Sequence, residues 1–362
     1  MAPLLKDQID AEVVGSLASA FRRRHSSFDV DSFVAAVNAT LDELELKDRI
    51  NLIADMLATY LPPTYTDALA IVTGVADDGV GEWASWSLCS FVERHGVGDP
   101  EPSLAAMPIL TKAWSCEFAI RPFLAEHLEL SLEHLRRWTA DDDERVRRLP
   151  SEGTRPLLPW GPRVPALLDD PQIGIELITA LRHDPSETVR RSVANHLNDV
   201  AKAHPDLVVA VLGDWMAESE PVDDRMVRHS LRTLIKNGHR PALELLGFTT
   251  NPEVGIESFS CTPSTVHLGN HIELTATLSS TAESEQLLVV DFVIHHVNAS
   301  GGTSPKVFKW KTVTLESGGT ERLTKRRLIQ TASTRSYHPG EHRIDLQVGG
   351  QVLATTAFSL AG

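Results

Sequence analysis

Residues 187–199 read ETVRRSVANHLND, a helical stretch whose Val189-Arg190 pair recurs at two other places in the chain. ERVRRLPSEG and DRMVRHSLRTLIKNG carry the same pair with their valines at Val146 and Val227, which lie 43 and 38 residues from Val189. Another apolar helix, PDLVVAVLGDWM, lies between the last two copies. Helix pairs that repeat about every 40 residues are typical of HEAT-type repeats, which stack into a curved solenoid with a concave face.

The remainder of the first 250 residues also has helical periodicity. Apolar residues recur at helical spacing in SFVAAVNATLDEL, and again between Ile50 and Tyr60, in a segment that stops before Pro62-Pro63. We therefore predict an α-helical HEAT-like repeat solenoid over residues 1–250.

The pattern changes near Asn251-Pro252, where helical spacing gives way to strict alternation. Apolar and polar residues alternate in HIELTATL and in RIDLQV, and Gly349-Gly350 after the second run signals a hairpin. Turn clusters such as ASGGTS, ESGGT and HPGEH separate the strands. We predict an immunoglobulin-like sandwich over residues 254–362. The predicted fold class is thus multidomain, with an α-helical HEAT-like repeat solenoid followed by an all-β sandwich.

The composition is that of a soluble globular protein, with 42% hydrophobic and 23% charged residues. No apolar run approaches the roughly 18 residues of a membrane span, and the N-terminal MAPLLKDQID lacks the plan of a signal peptide. Cys89, Cys116 and Cys261 are too few and too scattered for a disulfide framework or a zinc site. We expect a cytoplasmic protein without a metal or a cofactor.

The formal net charge is −15, and all of it lies before Val254, because nine basic and nine acidic residues balance from there onward. An acidic protein binds nucleic acid only if its basic residues cluster on one face. Two sets of basic residues could form such clusters. Those in the repeats are Arg147, Arg148, Arg155, Arg190, Arg191 and Arg228, and those in the C-terminal region are Lys309, Lys311, Lys325, Arg326 and Arg327.

The repeat arginines predict a basic track for DNA phosphates, because a guanidinium binds a phosphate through two parallel hydrogen bonds. We prefer Arg148 and Arg155 as phosphate ligands, and the alternative is ion pairing with acidic residues of neighbouring repeats. In the C-terminal region, Lys309 and Lys311 share one face of a strand and Trp310 takes the other. A DNA-clamping role for this basic set and a solubilised strand edge are equally open.

Two stripes of polar residues are candidates for the concave face. Arg191, Asn195 and Asp199 follow one another at i, i+4 and i+8, and the alternative is a solvated polar ladder. Trp114, Glu117 and Arg121 in KAWSCEFAIRPFL are spaced i, i+3 and i+7 on one helix, which Pro122 is expected to end or kink. For this second stripe the alternative is a surface ion pair between Glu117 and Arg121.

The stretch RRLPSEGTRPLLPWG departs from its sister copy RRSVANHL. Pro150 and Gly153 are both unfavourable inside a helix, and Glu152 aligns with Asn195. Sequence that breaks a local rule without an evident structural gain is often functional. We predict that the helix is interrupted so that Glu152 projects towards a substrate, and a longer inter-helix loop is the alternative.

WSCEFAIRPF, RRLPSEGTRPLLPWG and VRRSVANHLNDVAK resemble the AlkC-type branch of the HEAT-like-repeat DNA alkylation-repair glycosylases. LDELELKDRINLIADMLATYLP is similar to the N-terminal helices of that family, and some members carry an immunoglobulin-like domain. The resemblance implies a monofunctional DNA N-glycosylase of base excision repair. It implies excision of cationic alkylated bases from duplex DNA without base flipping, chiefly 3-methyladenine, and also 3-methylcytosine and 1-methyladenine.

The resemblance also implies roles for single residues. Glu117, Glu152 and Asp199 occupy the acidic positions of the lesion site, and Trp160 in PLLPWG matches an aromatic position there. We also predict that Trp114, like Trp160, contacts the lesion. His196 stands in VANHLND where the family more often has Asn. Carboxylates near the sugar would stabilise an oxocarbenium ion and position water. Duplex DNA is the expected partner of a monomer that needs no other protein.

Two other functions remain open. A HEAT-repeat scaffold that binds a protein or undamaged DNA would need no chemistry, and a fold does not by itself decide function. A carbohydrate-associated protein is a weaker alternative, because immunoglobulin-like domains accompany many glycoside hydrolases. The acidic set around Glu152 favours the enzyme over both.

Overall fold

The computed structural model describes residues 4–331 and 336–362, which fall into two compact units, residues 1–200 and residues 201–362. The first unit is helical throughout its described part. Its α-helices are α1 (Ala11–Arg24), α2 (Val30–Asn38), α3 (Leu46–Tyr60), α4 (Tyr65–Asp77), α5 (Glu82–His95), α6 (Pro100–Ala113), α7 (Ile120–Glu126), α8 (Leu128–Trp138), α9 (Glu144–Gly153), α10 (Pro165–Asp169), α11 (Gln172–Ala180) and α12 (Glu187–Val200).

Local sequence sets the ends of these helices. The Asp10 side chain accepts hydrogen bonds from two backbone N–H groups at the start of α1, and Asp143 accepts one at the start of α9. Helix α3 ends at Tyr60, as predicted, because Leu61 takes the extended conformation that a following proline favours.

The repeated Val-Arg pair has a structural role in α9 and α12. Val146 and Val189 are fully buried. Arg147 donates to the carbonyls of residues 141 and 142, and Arg190 donates to those of residues 184 and 185. In these two copies each arginine thus ties its helix to the turn five and six residues upstream.

The predicted interruption of α9 is wrong, because the helix continues through Pro150 and Glu152 to Gly153. A proline inside a helix costs about 3 kcal/mol and removes one backbone hydrogen bond. Leu149, Pro150 and Ser151 are all buried, so tertiary packing outweighs the local preference. Glu152 therefore lies in the last turn of a continuous helix.

The predicted single helix through Trp114, Glu117 and Arg121 is also wrong. Helix α6 ends at Ala113, Trp114 is extended, and residues 116–119 form turns before α7 begins. Pro122 lies in the first turn of α7, where a helical N–H has no intrahelical partner, so it fits within this helix and does not end it.

The second unit joins four helices to eight strands within its described residues. The helices are α13 (Pro205–Met216), α14 (Asp224–Ser230), α15 (Arg232–Lys236) and α16 (Arg240–Leu245). The strands are β1 (Val254–Thr262), β2 (Thr265–Val266), β3 (His271–Ser280), β4 (Gln286–Val297), β5 (Thr303–Leu315), β6 (Thr320–Leu328), β7 (Gly340–Val348) and β8 (Gln351–Leu360).

The strands form the predicted sandwich of two sheets, ordered β1-β3-β6 and β2-β8-β7-β4-β5. The alternation in β3 and β7 has the predicted sense, since their apolar residues are fully buried in the core between the sheets. Trp310 also points into this core, where its ring meets Phe292 edge-on at 5.8 Å. Gly349 and Gly350 both have positive φ and form the turn between β7 and β8.

The second unit begins well before its first strand, because its last helices pack on the larger sheet. The backbone around Gly238 abuts Gly350 so closely that a Cβ built on Gly350 would lie 2.2 Å from the Gly238 Cα. Leu243, Phe248 and Val289 form a small apolar cluster at the same contact. The boundary between the two compact units thus lies between residues 200 and 201, whereas the change from helices to strands occurs at the position predicted from sequence.

No helix within residues 4–331 and 336–362 is both long enough and apolar enough to cross a membrane.

The contact between Gly238 and Gly350 predicts a large cost for a methyl group there. Gly350→Ala introduces a Cβ at a positive φ and against backbone, whereas Gly247→Ala introduces one at a positive φ into open space. We expect Gly247→Ala to lower the free energy of unfolding by about 1 kcal/mol. Gly350→Ala adds about 1–3 kcal/mol for overpacking. Urea denaturation measures both, and equal losses in the two variants would contradict this contact.

Candidate active site

A cleft of about 740 Å³ opens on the first unit. Its walls come from the start of α5, the α6–α7 connection, α9 and the loop that follows α9. Six of the predicted site residues line it. Those from the α6–α7 connection and α9 are Trp114, Glu117, Arg148 and Glu152, and those from the loop are Arg155 and Trp160. The structure therefore brings together residues that are up to 46 positions apart in sequence.

One wall of the cleft is aromatic. The rings of Trp86 and Trp114 stack with their centroids 5.3 Å apart, and Trp83 and Phe118 extend the group on either side. Trp83 and Trp86 lie one helical turn apart at the start of α5. They were not predicted as site residues, although two tryptophans at i and i+3 beside a helix start are a signal that the sequence contains.

Trp160 stands apart from this wall and is 62% exposed. Its backbone has φ +64°, a left-handed conformation that costs a non-glycine residue about 1 kcal/mol or more. The Lys47 ammonium donates a 3.0 Å hydrogen bond to the Trp160 carbonyl, and it also lies over the Phe118 ring. A large apolar side chain is thus held at the mouth of the cleft.

The predicted carboxylates are linked by two arginines into one chain of alternating charge. Arg148 Nη1 lies 3.0 Å from Glu117 Oε2, and Arg148 Nη2 lies 3.3 Å from Glu152 Oε2. Arg155 Nη1 lies 2.5 Å from Glu152 Oε1, and Arg155 Nε lies 2.9 Å from Asp199 Oδ2. Three carboxylates and two guanidinium groups leave one net negative charge.

Burial of the carboxylates increases along this series of ion pairs, from Glu117 to Asp199. Glu117 and Arg148 are partly exposed on the cleft, whereas Glu152 is 4% exposed and Asp199 is 3% exposed. Asp199 does not line the cleft but lies behind Arg155. Glu117 and Glu152 can therefore face a ligand directly, whereas Asp199 is connected to the cleft through Arg155.

Glu152 is ionised despite its burial. Desolvation raises the pKa of its carboxyl group, but the charges of Arg148 and Arg155 and the hydrogen bonds from Ser192 and Arg155 outweigh that effect and lower the pKa. For Arg155, desolvation lowers the pKa, and its two carboxylate partners more than compensate and raise it. Each buried charge is thus maintained by its neighbours of opposite sign.

The last turn of α9, which carries Glu152, is held by donors from several parts of the chain. The last four carbonyls of a helix have no partner within it, so other groups must bind them. The carbonyls of residues 150–153 accept, in that order, from the Thr154 hydroxyl, the His196 ring, the Arg155 N–H and the Arg121 guanidinium.

Arg121 is the central residue of this arrangement. It is fully buried and donates to the carbonyls of Gly153, Arg155 and Pro162, at 2.8, 3.0 and 2.5 Å. Burial, together with the nearby Arg155 and Arg163 charges, lowers its pKa to about 10. The predicted alternative of a Glu117–Arg121 surface ion pair is wrong, because Arg121 binds carbonyls of the loop after α9 and Glu117 pairs with Arg148.

His196 also acts on α9 and not on the cleft. Its Nδ1 donates a 3.0 Å hydrogen bond to the Ser151 carbonyl, and burial lowers its pKa to about 4, so the ring is neutral at pH 7. A Cβ on Gly174 would lie 2.4 Å from His196 Nε2. The imidazole at this position thus depends on a glycine in α11.

The arginines predicted to bind phosphates occupy different environments. Arg148 and Arg155 are engaged by the carboxylates of the site, which is the ion-pair alternative, because buried carboxylates need counter-charges. Arg190 is half-buried and binds loop carbonyls. Arg191 is exposed and pairs with Glu187, and Arg228 is exposed and lies over the Phe248 ring.

Two further cations lie at the rim of the cleft and were not predicted. Lys112 is exposed at the end of α6, and Arg145 is exposed in the first turn of α9. Arg145 is braced by two hydrogen bonds to Asp143 and one, of 2.7 Å, to the Lys112 carbonyl. No role for Arg145 was evident from the sequence, because this residue lies among the acidic residues of DDDERV.

The basic groups of the sandwich are mostly exposed. Lys309, Lys325 and Arg326 are solvent-exposed, and Lys311 pairs with Glu321 at 2.6 Å. Arg327 differs, because its guanidinium lies over the Phe308 ring at 3.7 Å from the centroid. This set therefore presents cations on strands β5 and β6, with Arg327 partly committed to packing.

Comparisons with known proteins identify the family of the chain. Residues 111–237 match the family described as "DNA alkylation repair enzyme", and residues 255–362 match "Uncharacterised protein YhaZ, C-terminal Ig-like domain". Over 357 residues the chain is 31% identical to "Uncharacterized protein YhaZ" of Bacillus subtilis (strain 168), which covers 98% of this chain and 99% of that protein.

A solved structure is similar over the whole length. It is the Pseudomonas fluorescens alkylpurine DNA glycosylase AlkC bound to DNA containing an abasic site analog. It is 36% identical, with a TM-score of 0.94, and the match covers 99% of this chain and all of that one. The chain therefore belongs to the AlkC-type DNA alkylation-repair family, in which a helical alkylation-repair domain is followed by an immunoglobulin-like domain.

Proposed function

We propose that this protein is a monofunctional DNA N-glycosylase that excises cationic alkylated bases, chiefly 3-methyladenine, from duplex DNA. The observation that carries the proposal is the alternating chain from Glu117 to Asp199, with one net negative charge, beside an aromatic cleft wall. A cleft with these walls suits a flat, singly charged cation, which aromatic faces and carboxylates both attract.

The chemistry needs stabilisation of positive charge more than it needs an acid. Alkylation at N3 gives adenine a positive charge, so the base leaves without being protonated. As the glycosidic bond breaks, the deoxyribose gains oxocarbenium character, which an ionised carboxylate close to C1′ stabilises. The lowered pKa of Glu152 suits this task, because the group is then a carboxylate at neutral pH.

Different members of the chain would take different parts. Glu117 and Glu152 line the cleft and would face the sugar or the attacking water, whereas Asp199 would hold Arg155. Trp114 and the exposed Trp160 would contact the lesion nucleotide from two sides. Excision of 3-methylcytosine and 1-methyladenine, and a reaction without base flipping, belong to the same proposal and rest on the resemblance alone.

The two rim cations, Lys112 and Arg145, would bind the DNA backbone beside the cleft. Each is exposed, so a phosphate can reach it without breaking a buried ion pair. Lys309, Lys325 and Arg326 of the sandwich would add contacts to the duplex. We further propose that the protein acts as a monomer in the cytoplasm.

Removing the charge of Glu152 tests the catalytic proposal. We expect Glu152→Gln to lower the single-turnover rate of 3-methyladenine release by about 10²–10³, since one preorganised electrostatic partner of the transition state is lost. Glu117→Gln and Asp199→Asn, measured separately, report the other carboxylates. Release of free base from methylated duplex DNA is the measurement.

Glu133→Gln is the matched control, because Glu133 also pairs with an arginine at i+4 but is exposed on α8 and does not line the cleft. Its rate should equal that of the wild type. If the wild-type protein binds methylated DNA and releases no base, the enzymatic proposal fails and the scaffold alternative gains.

The rim cations predict a change in the salt dependence of binding. Each phosphate contact contributes about 0.9 to the slope of log K against log salt concentration. We expect Lys112→Ala and Arg145→Ala each to reduce that slope by about one unit, as measured by fluorescence anisotropy with a duplex. Arg137→Ala removes an exposed arginine of α8 and should leave the slope unchanged. An unchanged slope in the two rim variants would exclude these phosphate contacts.

The lowered pKa of Glu152 predicts where acid stops the reaction. A carboxylate whose pKa is depressed stays ionised until the pH falls through the depressed value, which lies below the ordinary 4.3 or so of a glutamate. We expect the excision rate, corrected for spontaneous base loss, to stay level from pH 8 to about pH 5. A fall centred between pH 6 and 7 would show that Glu152 is not the controlling group.

A further inference from the structure

We propose that Ser192 is a positioning residue that holds the Glu152 carboxylate in its orientation towards the cleft. This inference rests on the proposed function, in which Glu152 stabilises the developing sugar cation. Ser192 lies in α12 and is 2% exposed, and its Oγ donates a 2.6 Å hydrogen bond to Glu152 Oε2 across the α9–α12 interface.

The hydrogen bond from Ser192 supplies what the arginines do not. Glu152 Oε1 is bound tightly by Arg155, but the arginine at Oε2 is Arg148, which is 3.3 Å away, partly exposed and shared with Glu117. Ser192 is a buried donor to Oε2, and its 2.6 Å hydrogen bond is shorter than the contact from Arg148. A carboxylate fixed at both oxygens has one orientation, whereas a carboxylate fixed at one oxygen can rotate.

The repeat itself does not require this contact. The residue three positions after the repeated valine is Leu149 in the first copy and Ser230 in the third. Ser230 donates to the carbonyl of Met226 in its own helix, which is the usual bond of a helical serine. Ser192 instead directs its single hydroxyl proton across the interface to Glu152.

A second hydroxyl completes the arrangement. Ser192 Oγ also lies 2.9 Å from Ser151 Oγ, so the two hydroxyls and the Glu152 carboxylate form one buried cluster. The Ser151 carbonyl is held in turn by His196 of α12. Helix α12 thus fixes both the carboxylate of Glu152 and the backbone beside it.

Catalysis by charge depends on placing the charged atoms within fractions of an ångström, so loss of such a supporting hydrogen bond has a measurable effect. We expect Ser192→Ala to lower the single-turnover excision rate about 10–100-fold. The Kd for duplex DNA containing an abasic-site analogue should change less than about 3-fold, because Glu152 contributes little to backbone binding. Ser192→Cys, which keeps a weak donor of similar size, should recover part of the rate.

A structural defect would give a different result. Ser131→Ala is the matched control, because Ser131 is a fully buried serine of α8 whose hydroxyl has no hydrogen-bond partner among the described residues. It should leave the rate unchanged. In the Glu152→Gln background, Ser192→Ala should add less than about a 2-fold loss, because the group it positions is already gone. Equal losses in both backgrounds would overturn the proposal.

The pH dependence separates this inference from the proposed function. Ser192 helps to keep the pKa of Glu152 low, so Ser192→Ala should move the acid limb of the rate profile to higher pH. Carboxyl ¹³C NMR of Glu-labelled protein follows the same pKa without any substrate. If the wild type releases no base, the proposed function fails. If the Glu152 carboxyl signal titrates at the same pH in the wild type and in Ser192→Ala, the role of Ser192 is overturned, whatever the activity.

Discussion

The site depends on one constraint, which is that a carboxylate buried in a protein must be matched by a cation. Glu152 is held between Arg148 and Arg155, and Arg155 is held in turn by Asp199. A buried ion pair adds little net stability, but removal of one partner costs about 3–5 kcal/mol, because the other charge remains buried. The alternating series of ion pairs therefore serves to fix the positions of the charged groups more than to stabilise the fold.

A second constraint is that the helix carrying Glu152 ends inside the protein. Its last carbonyls need donors, and Arg121, His196 and the turn after the helix provide them. Arg121 also fixes the loop that leads to Trp160, through the carbonyls of residues 155 and 162. The position of the acidic centre and the position of the aromatic residue at the cleft mouth therefore rest on one buried guanidinium.

These constraints explain how an acidic protein can act on DNA. The arginines next to the carboxylates neutralise them from within, which leaves a net charge of one at the site and not three. We propose that phosphate binding is left to exposed cations at the rim of the cleft and, in the second unit, to those of β5 and β6. On this proposal, neutralisation of the carboxylates and attraction of the DNA backbone use different basic residues, whereas sequence alone assigned both tasks to the repeat arginines and added the cations of the sandwich.

The sequence by itself determined the elements of this protein. Periodicity of 3.6 and of 2 reports which residues are buried, so the helical repeats, the sandwich, the Gly349-Gly350 turn and the inward Trp310 followed from it, and the family motifs singled out Glu117, Glu152 and Asp199. The tertiary structure decided the partners. Arg121, Arg155 and Ser192 bind groups 32 to 44 residues away or across a helix interface, and no local pattern encodes which polar group faces which. Packing also keeps Pro150 inside a helix, because burial of its neighbours outweighs the unfavourable helix propensity of proline.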